Sequence, residues 1–171
     1  MRAGVAQSPL SFSAESCARL PQALTPGEPN DMNVFSLERE QQLDPKHHVE
    51  KILGTISGGD HTVACWEPGQ ISPYHCHPFA TEIYFCFSGG GIMRTPKETV
   101  AVTPGSFVVH PPGEVHEYEN GATRTLLFRV RYGADMLSRH CAWRGNPDWT
   151  QSADDAEYYR QHPIHASIHG A

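Results

Sequence analysis

No apolar run along the 171 residues is long enough to cross a bilayer, which excludes a helical membrane span. Basic residues are also scarce. Thirteen Lys and Arg against 19 Asp and Glu leave a formal charge of -6 and a pI near 6.0. Nucleic-acid binding needs a basic face, so that class is excluded. Cysteine is present but unpatterned: Cys17, Cys65, Cys76, Cys86 and Cys141 are odd in number and lack the close pairs of a zinc ribbon. Reduced thiols in a cytoplasm fit this better than a disulfide framework. After Arg2 there is no compact apolar stretch, so a secretory signal is not expected and a cytoplasmic location is.

What remains is a chain long enough for one domain with flanking segments, and its 39% hydrophobic content suffices for one core. Residues 1–31 are rich in Ser, Ala and Pro without a sustained period and read as a loosely held arm, with at most a helical turn over Ala14–Leu20. Residues 32–133 read as the folded barrel, opening on a short edge strand over Val34–Leu37. Strand-like segments then recur at short intervals between turn residues: 49–57, 61–67, 74–77, 82–87, 92–95, 99–103, 106–110, 115–118 and 123–132. Asn120–Gly121 carries a hairpin signal. Many short strands divided by Gly and Pro predict an all-β antiparallel sandwich or barrel. Residues 134–171 are expected to form a loop and a short helix that pack on the barrel. Ser152 is the expected N-cap, the helix spans 153–161, and Trp143 and Trp149 bracket the loop.

Eleven histidines is a high count, yet most are scattered singly. His47 and His48 are adjacent, so in a strand they face opposite ways. His162, His165 and His169 match no site. The stretch His75-Cys76-His77 is different, because side chains two apart share a face of a strand. Glu82 opens the next strand, and His116 follows the turn Pro111-Pro112-Gly113. Three imidazoles and a carboxylate are a borderline donor set, suited to iron, manganese, nickel, cobalt or zinc.

These residues sit in two longer patterns. Gly69, five residues, His75-x-His77, four residues, Glu82, six residues, Gly89 resembles the first cupin motif in full. Gly105, five residues, Pro111-x-Gly113, two residues, His116, three residues, Asn120 resembles the second. Each motif is present once, in the expected order, so the chain resembles a single-domain cupin. The resemblance implies a jelly-roll (double-stranded β-helix) barrel with one divalent transition metal, iron favoured, held by His75, His77, Glu82 and His116.

Cupin membership implies the site more firmly than the reaction, because the family spans dioxygenases, decarboxylases, isomerases, lyases and binding proteins. If Glu82 faces inward, Tyr84 and Cys86 share its side and either line the cavity or pack the core. Arg129 and Arg131 share a face of the last strand. Inward, they would clamp a carboxylate or phosphate of the substrate; outward, they would be solvated or would pair with acids of a partner subunit. His110 either supports the site or faces solvent. The expectation is a metal-dependent enzyme on a small anionic or aromatic molecule, with non-haem iron dioxygenation leading. Redox-neutral isomerase, lyase or decarboxylase chemistry is the alternative, and a non-catalytic binding module the second class. A homodimer is expected from the family habit and the need to cover edge strands.

Overall fold

The computed structural model describes residues 32–164. The expected arm over 1–31, the turn over Ala14–Leu20, and His165 and His169 lie outside them. Two units are distinguished, Met1–Val34 and Phe35–Ala171. Within the first, the described residues are irregular.

Among the described residues the second unit holds ten strands, and the ladders between them are antiparallel. β1 (Val49–Ile56) and β2 (Gly59–Trp66) form a hairpin in which Ile56 faces Gly59. Ser57 and Gly58 close it with φ of 39 and 81. Two successive positive φ values give the turn whose twist matches that of its flanking strands. β9 (Thr125–Gly133) lies beside β2, β4 (Ala80–Ser88) beside β9, and β7 (Phe107–His110) at the far edge, giving the order β1-β2-β9-β4-β7. The opposing layer holds β6 (Thr99–Val102), β5 (Gly91–Arg94) and β8 (Glu117–Asn120) in the order β6-β5-β8. β3 (Tyr74–Cys76) pairs with β10 (Arg139–Ala142), and bridges Ile71–Glu119 and His75–His116 join the β3 region to the β8 region. No helix among the described residues is long and apolar enough to cross a membrane.

Alternation of side chains places the core between the layers. Ala64, Trp66, Tyr84, Cys86, Met93, Val102, Tyr118 and Leu127 pack there, with Val108 against them. On the other face of the large sheet, Val63, Cys65 and Leu126 are covered by Leu37, Leu43 and Leu53.

Two expectations are corrected here. Val34–Leu37 is not a strand. Ser36 accepts the Arg39 amide on its side chain and starts a helical turn, α1 (Leu37–Glu40), with Glu38 near its N-terminus. A serine before a run without β-branched residues prefers this cap to an extended edge. Asn120–Gly121 is not a hairpin turn either, because β8 pairs with β5 whereas β9 pairs with β2 and β4. Neither residue has the positive φ such a turn demands. Instead, Asn120 Nδ2 donates to the carbonyls of Glu67 (2.8 Å) and Thr123 (2.9 Å) as the chain crosses between layers.

The C-terminal helix α2 (Ala153–Gln161) forms with Ser152 as its cap, as the sequence predicts. The loop before it is pinned by Trp143, whose indole N–H donates to the Ile71 carbonyl at 2.6 Å. His47 lies against Trp143, and His48 stacks on Trp66 with ring centroids 4.1 Å apart.

Candidate metal centre

His75 and His116 face each other across neighbouring segments. The His75 amide donates to the His116 carbonyl at 3.0 Å, and the His116 amide returns the bond at 2.8 Å. A pair that exchanges both backbone bonds projects its two side chains to the same side, close together. His77 follows two residues on and is fixed by the turn Pro111–Glu114. In that turn Gly113 adopts φ 79 at the third position, and its amide donates to the His77 carbonyl at 2.8 Å. A side chain at Gly113 would strain this conformation. Glu82 enters from β4, in register with Arg131 on one side and His110 on the other.

Donor atoms of His75, Glu82 and His116 all lie within 4.8 Å of one another. His77 stands beside this set, with Nε2 at 3.3 Å from Glu82 Oε1. All four residues are buried, and His75 is the least so at 9% exposure, which places the solvent side of the centre there. Each imidazole is held through Nδ1. His75 donates to the Pro73 carbonyl at 2.9 Å, His116 to the Glu114 carbonyl at 3.0 Å, and His77 to the Leu137 carbonyl at 3.2 Å. A carbonyl can only accept, so it commits Nδ1 to the proton and leaves Nε2 a lone pair.

That commitment sets acceptor against acceptor. His116 Nε2 faces Glu82 Oε2 at 2.9 Å, and His77 Nε2 and Glu82 Oε1 are buried without a hydrogen-bond partner. Buried polar atoms left in this way are costly. A cation among them satisfies all of them at once, so the donor set fits a divalent transition metal. Burial, with His116 beside it, drives the His75 imidazole well below its usual value. That shift favours the unprotonated ring that binds metal.

The charges behind the donors are also arranged. Arg129 and Arg131 both turn inward. Arg129 reaches Glu50 at 2.6 Å, Thr62 at 3.1 Å and Glu82 at 3.5 Å, while Arg131 binds Asp60 at 2.6 Å. Burial opposes the Arg129 cation, but Glu50 and its other partners prevail and raise its pKa. Three carboxylates (Glu50, Asp60, Glu82) against two guanidiniums leave this cluster at a net -1, a sign that favours a cation.

Tyr84 and Cys86 also point inward, and both pack into the apolar core beneath the centre. His110 faces inward as well. Its ring stacks on His116 with centroids 3.8 Å apart, and its Nδ1 bonds Glu114 at 2.8 Å. Burial, reinforced by His116, pushes its pKa down to about 4. Sequence reasoning missed Glu50 and Asp60 as partners of the arginines, and Ser138 and His140 beside the ligands. His140 stacks on His75 at 5.4 Å. The acids were legible only once the arginine face was known to be the inner one. No motif signals Ser138 or His140.

Comparison with known proteins agrees with this architecture. The cupin domain family matches residues 62–130. No curated protein matches the sequence. Among solved structures, a conserved double-stranded β-helix protein from Klebsiella pneumoniae subsp. pneumoniae MGH 78578 superposes with a TM-score of 0.61 at 17% identity, covering 66% of this chain and 99% of that one. A cupin 2 conserved barrel protein from Salinispora arenicola CNS-205 gives 0.51 at 20% identity, over 63% and 93% of the two chains. An oxalate oxidase in complex with the substrate analogue glycolate gives 0.54 at 21%, over 63% and 62%. At these identities the likeness is one of fold. Both ligand motifs lie inside residues 62–130, the part of the chain that matches the cupin domain family, and the strands around them form the double-stranded β-helix.

Proposed function

We propose that this chain is a divalent-metal-dependent enzyme acting on a small anionic or aromatic metabolite, with non-haem iron dioxygenation as the leading chemistry. The observation that carries the reading is the orientation of the imidazoles. Three histidines are held through Nδ1 to backbone carbonyls, with their Nε2 lone pairs left for the space around Glu82. His75, His77, Glu82 and His116 would hold the ion, leaving positions open for ligands of substrate size. An ion such as ferrous iron supplies oxygen activation or carbonyl polarisation there.

The chain's own residues then have separate tasks. Arg129 steadies Glu82 from behind while Glu50 and Asp60 hold Arg129. Both arginines are thus engaged, and their contribution to an anionic substrate is through charge more than through a free clamp. A dication reverses the negative sign of the cluster and makes the centre attractive to an anion. Tyr84 and Cys86 form the wall beneath, and His75 with His140 marks the side open to solvent.

The test is elemental analysis of protein purified without added metal, beside the His116→Ala variant. Near-stoichiometric iron, lost in the variant, is expected, followed by oxygen consumption on catechols, aminophenols or diketones. Zinc, manganese or nickel in its place would shift the reading to redox-neutral isomerase, lyase or decarboxylase chemistry, assayed without oxygen. No metal, and none taken up on reconstitution, would overturn the metalloenzyme and leave a binding module.

A further inference from the structure

The three histidines differ in what holds them. His75 is fixed by Pro73 and His116 by Glu114, each only two residues away in the chain. Local backbone geometry therefore sets those two rings. His77 has no such neighbour. Its Nδ1 meets the Leu137 carbonyl and the Ser138 Oγ, both at 3.2 Å, from a segment 60 and 61 residues downstream and beyond the cupin domain match. That segment is held in turn from several directions. The Ala134 amide donates to the Phe79 carbonyl at 3.0 Å, and Asp135 accepts the Leu137 amide at 2.9 Å. Arg139 and His140 pair with Cys76 and His75 in the β10–β3 ladder. Tyr159, on α2, donates its hydroxyl to the Arg139 carbonyl at 2.7 Å.

His77 is also the histidine that stands outside the tight set formed by His75, Glu82 and His116. Its two Nδ1 contacts are longer than those of the other rings. With the Nδ1 proton shared between a carbonyl and a hydroxyl, the ring has two tethers, and removal of either leaves it freer to turn away from Glu82.

We propose that Ser138 is a positioning residue of the metal centre, which, with the Leu137 carbonyl, fixes the His77 ring and so decides whether this histidine completes the ligand set. The proposal rests on the metal reading above, and it extends the functional unit to the C-terminal segment. Ser138 touches neither metal nor substrate; it acts through His77.

The test titrates Co2+ into the metal-free full-length chain and follows the visible absorption of the bound ion, whose shape reports coordination. Ser138→Ala is expected to weaken Co2+ binding about tenfold and to alter the spectrum, the usual size of such an effect being about 10–100-fold. Ser138→Thr keeps the hydroxyl and is expected to restore both. In the His77→Ala background, Ser138→Ala is expected to change nothing further, because its route to the metal is gone. Wild-type affinity and spectrum in Ser138→Ala would overturn the proposal, as would an equal loss with and without His77. Failure of the wild-type protein to take up Co2+ would overturn the metal centre itself, a distinct result.

Discussion

On β4 the inward residues are Glu82, Tyr84 and Cys86, and the outward ones are Ile83, Phe85 and Phe87. On β9 the inward residues include Leu127, Arg129 and Arg131, and the outward ones Phe128 and Val130. β7 repeats the pattern, with Val108 and His110 inside and Phe107 and Val109 outside. The interior of the sheet thus carries carboxylates, guanidiniums and imidazoles, while its outer face carries phenylalanine, with Phe107 at 68% exposure. Two cores share one sheet. One part of the inside is apolar, around Trp66 and Leu127, and the other is polar, with charges that partner one another. The difference teaches that burial here follows the needs of a site as much as hydrophobicity. Ions are tolerated inside because each meets an opposite charge or an ordered donor.

The strongest way to break the contrast is to remove the central inner charge. Arg129→Met leaves Glu82, Asp60 and Glu50 facing one another without their shared cation, and the expected loss is about 3–5 kcal/mol of stability in urea titrations of metal-free protein. A gain in stability instead would show that the charges are not coupled as described.

The second prediction uses pH. Unfolded, His110 takes a proton near its ordinary value of 6.5; folded, burial and His116 lower it to about 4. Above 6.5 both states are neutral and nothing changes. Between 6.5 and 4 only the unfolded chain binds the proton, so stability falls as pH falls, by about 3 kcal/mol at the lower end. His75, lowered in the same direction, steepens the loss. Urea midpoints of metal-free protein measured across this range check the slope, and His110→Phe, which keeps a ring against His116, is expected to flatten it.

The smallest effect belongs to the outer face. Phe107→Ser or Phe87→Ser removes side chains that already meet solvent, and stability is expected to move by no more than about 0.5 kcal/mol. A loss of several kcal/mol would mean that this face is covered in solution.

The sequence made the ligand neighbourhood legible because turn glycines, prolines and histidines occupy fixed offsets there, each with a conformational reason. Gly113 is one case, where the third position of a turn requires its positive φ. The strands followed for a similar reason, since alternation and turn residues are local signals. What stayed hidden was long-range. Parity placed Arg129 and Arg131 on a common face without saying which face is the inner one, and their acids lie 69 to 79 positions upstream, at Asp60 and Glu50. β10 went unseen because Arg139–Ala142 has little strand character by itself and extends only against β3. Asn120–Gly121 misled because its side-chain bonds to Glu67 and Thr123 override a local turn preference.

The flanking strands carry one more consequence, for how the protein can be divided. β2 lies against β1 and β3 against β10, yet β1 and β10 fall outside the residues 62–130 that match the family. In β3 all three residues are buried, and in β2 seven of eight are. A fragment cut to the matched residues would bare the backbone of both, without charge or proline in β3 to blunt the edge, and would tend to join other copies strand to strand. The family boundary marks where the motifs lie, and the smallest well-behaved molecule is larger than it.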